Sequence, residues 1–200
     1  MIFLSNNDEK EISTTHMPDA RKVVSKNKAI AKRMMRKEVA SEIIATLPAI
    51  GESFECITNG QSNAGGFYEV IRDRWGKVDE LCVATWIMNR DYIDMLFDDL
   101  DNNRLGSLVF IISNRMQQLG KGHAPAFNVL KSKAIEHPRV KFRVANSHAK
   151  VFSMTNGIDY ITVSGSGNWS ENPRIENYCI TNDKTKFDFH KKWMIELCQS

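Results

Sequence analysis

The positions of apolar and polar residues alternate along the chain between the period of a strand and the period of a helix. Strand-like runs occur at 54–59, 79–88, 108–112 and 140–144. Helical spacing occurs between them, at 65–75, 90–103 and 124–136. Because strands and helices alternate, the chain is predicted to form an α/β fold: a mixed β-sheet, parallel in part, with helices on both faces.

The N-terminal part of the chain is predicted to be a helical extension over residues 1–50. Helical spacing begins at Pro18, which suits a first helical turn, and continues to about Leu47 as one long helix or two. The first half of this segment is basic and contains Arg21, Lys22, Lys26, Lys28, Lys32, Arg33, Arg36 and Lys37. Two interpretations stay open. The segment is a solvated basic face, or it contacts a nucleic-acid backbone, for which the candidates are Lys28, Lys32 and Arg36.

The remaining residues, 51–200, are predicted to form one domain. The run at 108–112 is apolar throughout, as in a strand buried on both faces. Further along, a strong hairpin signal at Asn156-Gly157 joins two consecutive strands, and 184–198 has the pattern of a closing helix. Trp86, at a strand end, fits a core residue better than a platform for a stacked base.

Composition narrows the possible classes of protein. The chain has 200 residues and a net charge of +3, which permits binding to nucleic acid without requiring it. Its four cysteines are scattered and form no Cys-x-x-Cys pair, so we expect no metal site and no cofactor. No apolar run approaches the ~20 residues of a membrane span, and the first residues lack the features of a signal peptide. We therefore expect a cytoplasmic protein without a membrane partner.

The residues that suit chemistry flank the predicted hairpin. His148 and Lys150 are two positions apart, so their side chains point to one face if the first strand extends over them. The return strand ends in Gly165-Ser166-Gly167-Asn168, whose glycines leave backbone N–H groups approachable by an anion. The hairpin therefore brings together groups that suit phosphoryl transfer. Imidazole attacks or transfers a proton, while ammonium and amide donors stabilise charge on phosphate oxygens.

The spacing His148-x-Lys150 followed by Gly165-Ser166-x-Asn168 resembles the HKD motif of the phospholipase D superfamily. Trp169-Ser170, and then Glu176 at the start of an apolar strand, are similar to the single-motif bacterial endonucleases of that superfamily. The close resemblance covers about 148–181. The first ~140 residues match only in their α/β rhythm.

Two departures from the motif lie in the hairpin. The stretch between Lys150 and Gly165 is a few residues longer than usual, and the extra residues fall at the hairpin tip, where insertions are tolerated. The aspartate of the motif has no clean equivalent, since Thr155 stands at its usual spacing and Asp159 lies across the turn.

The resemblance implies an α/β sandwich and a metal-independent reaction that uses two copies of the motif. One histidine attacks phosphorus and forms a phosphohistidine, the other protonates the leaving oxygen, and water then releases the product. Because this chain has one copy, a two-fold homodimer is expected to supply the other. The implied roles are His148 as nucleophile or acid, Lys150 and Asn168 as phosphate ligands, Ser166 and Gly167 as residues of the phosphate-binding loop, and Glu176 as the group that orients the histidine.

Three functions fit this pattern. The first is a non-specific nuclease acting on DNA or RNA, favoured by the basic segment 21–37 and by the size of the chain. The second is a phospholipase or phosphatidyl transferase, although such members usually carry both motifs in one long chain. The third is a catalytically idle module that binds nucleic acid or a partner. The longer hairpin keeps this third function open, and the complete set of His, Lys, Ser, Asn and Glu side chains argues against it.

Overall fold

The computed structural model describes residues 18–120, 122–171 and 173–200. Its strands are β1 (Ser53–Thr58), β2 (Val78–Thr85), β3 (Leu105–Ser113), β4 (Val140–Ala145), β5 (Val151–Thr155), β6 (Tyr160–Gly165) and β7 (Glu176–Asn182). Its helices are α1 (Pro18–Ile43), α2 (Ala64–Trp75), α3 (Arg90–Asp101), α4 (Arg115–Gln118), α5 (His123–Glu136) and α6 (Lys184–Gln199). The predicted α/β class is confirmed.

Local sequence explains where several helices begin and end. α2 begins after Asn63, whose side chain accepts a hydrogen bond from the Gly66 amide at 3.0 Å, and it ends at Gly76, which has a φ of +72°. α6 begins after Asp183, which accepts from the Lys186 amide at 2.7 Å. α1 is one continuous helix and ends before the segment leading to Pro48, whose ring disfavours helical backbone in the residue before it. Among the described residues, no helix combines the length and apolar character that crossing a bilayer requires.

The seven strands form a single mixed sheet with the order β1-β7-β6-β5-β2-β3-β4. The three strands β2, β3 and β4 are mutually parallel, as expected where helices connect consecutive strands. The other neighbours, β2 with β5, β5 with β6, β6 with β7 and β7 with β1, pair antiparallel. The predicted mixed sheet, parallel in part, is therefore confirmed.

Helices cover both faces of this sheet. Leu108, Phe110 and Ile112 of β3 are buried in a larger apolar core, to which α1, α2, α3 and α5 also contribute. The alternate residues Val109 and Ile111 are buried in a smaller core against α6. The prediction that this strand is buried on both faces is confirmed.

One edge of the sheet collects the ends of four strands that carry the candidate residues. Because β5 is antiparallel to both β2 and β6, and β6 is antiparallel to β7, the last residues of β2 and β6 lie beside the first residues of β5 and β7. The pairs nearest this edge are Ala84 with Val151, Val151 with Ser164, and Gly165 with Tyr178. We call this edge, with residues 85–86, 148–150, 165–168 and 176, the site edge.

Candidate active site

His148 and Lys150 lie in the segment just before β5, not within the strand as the sequence suggested. Their side chains are nevertheless neighbours: Lys150 Nζ lies 3.2 Å from His148 Nδ1 and 3.5 Å from its Nε2. The same ammonium donates a hydrogen bond to the His148 carbonyl oxygen at 3.2 Å. The imidazole is exposed, so a ligand from solvent can reach this pair.

The environment of Lys150 is partly dry and contains a carboxylate. Partial burial lowers the pKa of Lys150, and the nearby charge of Glu176 opposes that effect without cancelling it. The net result is an ammonium with a pKa below its ordinary value. A partly desolvated ammonium attracts negative oxygens more strongly than one in bulk water.

Ser166 connects the loop after β6 to Glu176. Its hydroxyl donates to the Glu176 carboxylate, and its oxygen accepts from the Asn177 amide at 3.1 Å. Glu176 is 6% exposed and Ser166 is exposed. In this arrangement Ser166 holds the carboxylate beside the site, and the carboxylate in turn fixes the orientation of the Ser166 hydroxyl.

Two glycines let the loop after β6 lie directly on β7. A Cβ atom on Gly165 would lie 2.0 Å from the Asn177 carbonyl oxygen. A Cβ atom on Gly167 would lie 1.7 Å from Tyr178 Oη. Both positions therefore require glycine for close packing, whereas the sequence suggested only a role in anion binding.

Asn168 is fixed at the end of β2. The side chain is 7% exposed, and its Oδ1 lies 3.4 Å from the Thr85 hydroxyl, which also lies 3.1 Å from the Ile87 carbonyl oxygen. The Asn168 carbonyl oxygen accepts from the Ala64 amide at 3.3 Å, at the start of α2. The side-chain amide therefore lies against the end of β2, and the Asn168 backbone is held by the start of α2.

Trp86 lies at the site edge, whereas the sequence predicted it to be a core residue. Its ring is half-buried, and its centroid lies 5.3 Å from that of the His148 ring at an interplanar angle of 50°. Lys150 Nζ lies 5.9 Å from the Trp86 ring centroid. The signal that identifies it is positional, since Trp86 directly follows β2 at the edge where β5 begins.

The basic helix α1 contacts the loop that follows Asn168. Arg36 and Lys32 both pair with the Glu171 carboxylate, at 2.5 Å and 3.4 Å. Burial acts to raise the pKa of Glu171, but the hydrogen bonds and charges of Arg36 and Lys32 outweigh it and hold that pKa below its ordinary value.

The three proposed backbone contacts on α1 differ in their placement. Arg36 is 8% exposed and its guanidinium pairs with Glu171. Little of its charge is therefore accessible to the nucleic-acid backbone that it was predicted to contact. Lys32 has a side chain that is 59% exposed. The side chain of Lys28 lies outside the described part of the chain.

The two positions considered for the motif's aspartate lie at the hairpin tip, away from the site edge. Thr155 Oγ1 accepts from the Gly157 amide at 3.0 Å, and Asp159 Oδ1 accepts from Asn182 Nδ2 at 2.8 Å. Gly157 has a φ of +86°, which the turn requires. Both side chains stabilise the longer hairpin and neither lies among the residues of the site edge.

The site edge thus collects an exposed imidazole, a half-buried ammonium, a buried carboxamide and a serine–carboxylate pair at neighbouring strand ends. Among the described residues, no group of three or more His, Cys, Asp or Glu side chains is placed to hold a metal ion. The positive group beside the imidazole is Lys150, and donors of this kind stabilise the oxygens of a phosphate.

Comparison with known proteins identifies solved structures with a similar fold. No protein-family model matches the chain, and no curated protein sequence matches it. The crystal structure of polyphosphate kinase from Porphyromonas gingivalis has a TM-score of 0.51 and 8% identity, covering 78% of this chain and 28% of that one. The crystal structure of phosphatidylserine synthase from Haemophilus influenzae Rd KW20 has a TM-score of 0.51 and 14% identity, covering 78% of this chain and 40% of that one. Both have phospholipase D-like folds, and this chain shares that fold while spanning less than half of either protein.

Proposed function

We propose that the chain is a metal-independent phosphodiesterase, and that it is a non-specific nuclease of DNA or RNA. The observation that supports this proposal most strongly is the contact of Lys150 Nζ with the His148 ring at 3.2 Å, just before β5, with Asn168 in the loop after the neighbouring strand β6. An imidazole next to an ammonium provides a nucleophile and a ligand for phosphate oxygens in one place.

In the proposed reaction, an imidazole nitrogen of His148 attacks phosphorus, and the P–N bond forms as the bond to the leaving oxygen breaks. The partner's His148 gives its proton to that oxygen. Water then attacks phosphorus, breaks the P–N bond and returns a proton to the second imidazole, so that both histidines regain their starting states. Lys150 and Asn168 hold the non-bridging oxygens throughout, and Ser166 keeps Glu176 beside the site.

The second imidazole requires a second chain in this proposal. The described residues contain one pair of this kind at the site edge, and a two-fold axis next to that edge would place two copies face to face. We therefore propose a homodimer with one shared active site. The protein should sediment as a dimer at micromolar concentration, whereas an active monomer would contradict the mechanism.

Nucleic acid is proposed as the substrate because the α1 segment adds positive charge near the loop that holds Asn168. Lys32 is 59% exposed and sits on Glu171, three residues after Asn168. An exposed cation there is suited to a neighbouring phosphate of the same strand, and Lys32→Ala is expected to lower the salt slope of binding by about one unit.

The direct test is incubation of the purified protein with plasmid and with RNA in the presence of EDTA. Wild type should cleave at least one of them, and His148→Ala should not. His190→Ala is the matched control, because His190-Lys191-Lys192 has the same His-x-Lys spacing but lies on α6. Binding without cleavage by wild type would favour the catalytically idle module, and cleavage of phosphatidylcholine vesicles alone would favour the phospholipase.

A further inference from the structure

Trp86 and Trp169 occupy different environments: Trp169 lies in the apolar core, and Trp86 does not. Trp169 is 1% exposed and packs against Tyr68, Tyr92 and Phe152 at centroid distances of 5.4–5.9 Å. Trp86 is half-buried and is not part of either apolar core that the structure describes. A large, partly exposed aromatic ring outside the core, next to an exposed imidazole and an ammonium, suggests contact with a ligand.

The pairing of β2 with β5 places this ring beside the reacting groups. β2 ends one residue before Trp86 and β5 begins directly after Lys150, next to the last pair of the register, Ala84 with Val151. At this end of the sheet the Trp86 and His148 ring centroids lie 5.3 Å apart, and the Trp86 centroid lies 5.9 Å from Lys150 Nζ. An indole in this position adds a flat apolar surface within one ring width of the phosphate site.

A phosphate group gains little binding affinity from a flat apolar surface, whereas the base of a nucleotide gains much. A base stacks on an aromatic side chain, and each such contact is worth a large factor in affinity whatever the base. A base inside a duplex already has neighbours on both faces and cannot offer one to a protein side chain. The ligand of Trp86 must therefore have an unpaired base next to the phosphate that is held by Lys150.

We propose that Trp86 is a specificity-determining residue that stacks an unpaired base beside the scissile phosphate, so that single-stranded nucleic acid is the preferred substrate. This inference rests on the proposed function, since it uses the phosphate position next to His148 and Lys150. It adds a substrate class that the groups at the site edge do not specify by themselves.

The test compares two strands with the same phosphates, oligothymidylate and an equally long strand of abasic tetrahydrofuran residues. Trp86→Ala should lower kcat/KM on oligothymidylate by about 5- to 150-fold, the range that one stacked base is worth. On the abasic strand the same change should cost less than about 3-fold, and Trp86→Phe should keep most activity on both. Trp193→Ala is the control, because Trp193 is also half-buried but lies on α6, where it packs against the smaller apolar core.

Three results would overturn the inference. An equal loss on both strands would show that the ring only supports His148 and Lys150. No loss on either strand would show that nothing stacks there. Wild-type cleavage of a duplex at the same rate as a single strand would show that an unpaired base is not required.

A binding measurement separates this inference from the proposed function. In a His148→Ala background, fluorescence anisotropy should show that Trp86→Ala weakens binding of labelled oligothymidylate by a similar factor and barely changes binding of the abasic strand. If this base-selective loss occurs but wild type cleaves no strand, the nuclease proposal fails and the stacking site stands. If wild type cleaves but the loss is not base-selective, the stacking site alone is refuted.

Discussion

Replacing Gly167 by alanine tests how closely the loop of Asn168 lies against β7. The added Cβ would lie 1.7 Å from Tyr178 Oη, 2.5 Å from Cζ and 3.1 Å from Cε1. Non-bonded carbon contacts are comfortable at roughly 3.5 Å or more. Something must therefore move by well over an ångström.

Neither side of this contact moves easily. Tyr178 is 1% exposed and packs edge-on against Phe67 at a centroid distance of 4.9 Å. The loop is held by the hydrogen bond from the Ala64 amide to the Asn168 carbonyl oxygen. Overpacking of this kind costs about 1–3 kcal/mol, so Gly167→Ala should lose about 2 kcal/mol of unfolding free energy. Activity should fall as well, because Asn168 is displaced with the loop.

Urea unfolding at one fixed protein concentration measures this loss, and a double-mutant cycle identifies its source. In Gly167→Ala with Tyr178→Val, the opposing ring atoms are gone, so the double variant should be more stable than the sum of the single losses by at least about 1 kcal/mol. Gly165→Ala is the matched control. Its clash at 2.0 Å is with the Asn177 backbone, which Tyr178→Val does not relieve. Additive losses for Gly167→Ala, or a loss below about 0.5 kcal/mol, would refute the packing described for this loop.

The remaining predictions concern the charges around the site. Lys150→Ala should lower kcat/KM by about two to three decades, since one preorganised cationic contact contributes ~3–4 kcal/mol in the transition state. Because the pKa of Lys150 is lowered, NMR titration of its ammonium should give a pKa below the ~10.4 of an ordinary lysine; a pKa at or above that value would contradict the environment described. Glu171→Gln should lower the unfolding free energy by only about 1 kcal/mol at neutral pH, because Glu171 is 49% exposed and partly screened by solvent. Since the pKa of Glu171 is depressed in the folded state, its contribution is present above the ordinary carboxyl pKa and is lost as the pH falls through the folded value. The unfolding free energies of wild type and Glu171→Gln should therefore become equal at acid pH. A difference in unfolding free energy that persists at acid pH would exclude this ion pair as its cause. Glu42→Gln, on the exposed side of α1, serves as the control.

The sequence predicts the elements of this fold well, because the period of apolar residues is a local property. The run at 108–112 shows burial on both faces directly, since every position in it is apolar. The four-residue helix α4 has no such pattern and was not expected. α1 ends at Ile43, short of the expected Leu47, although apolar residues keep a helical spacing up to that position.

The site is predicted less completely, because several of its contacts join residues that are far apart in the chain. The pair of Arg36 with Glu171 spans 135 residues, so no local spacing distinguishes this buried arginine from the exposed cations around it. Trp86 ends an apolar run, a context that is usual for core residues, and only the pairing of β2 with β5 brings it to His148. By contrast, His148 and Lys150 are only two residues apart in the chain, so their proximity was expected from the sequence, although they lie before β5 and not within it.

The central claim is that His148 forms a covalent bond to phosphorus, and trapping that bond tests it most directly. A diester substrate labelled with ³²P should be mixed with the protein in EDTA, quenched during turnover in alkali, and digested for mass spectrometry. The account predicts a phosphoramidate on His148 that disappears in acid and is absent in His148→Ala, while His190→Ala still shows it. An adduct on another residue, or steady turnover by His148→Ala, would contradict the account and leave the likeness to phospholipase D at the level of the fold.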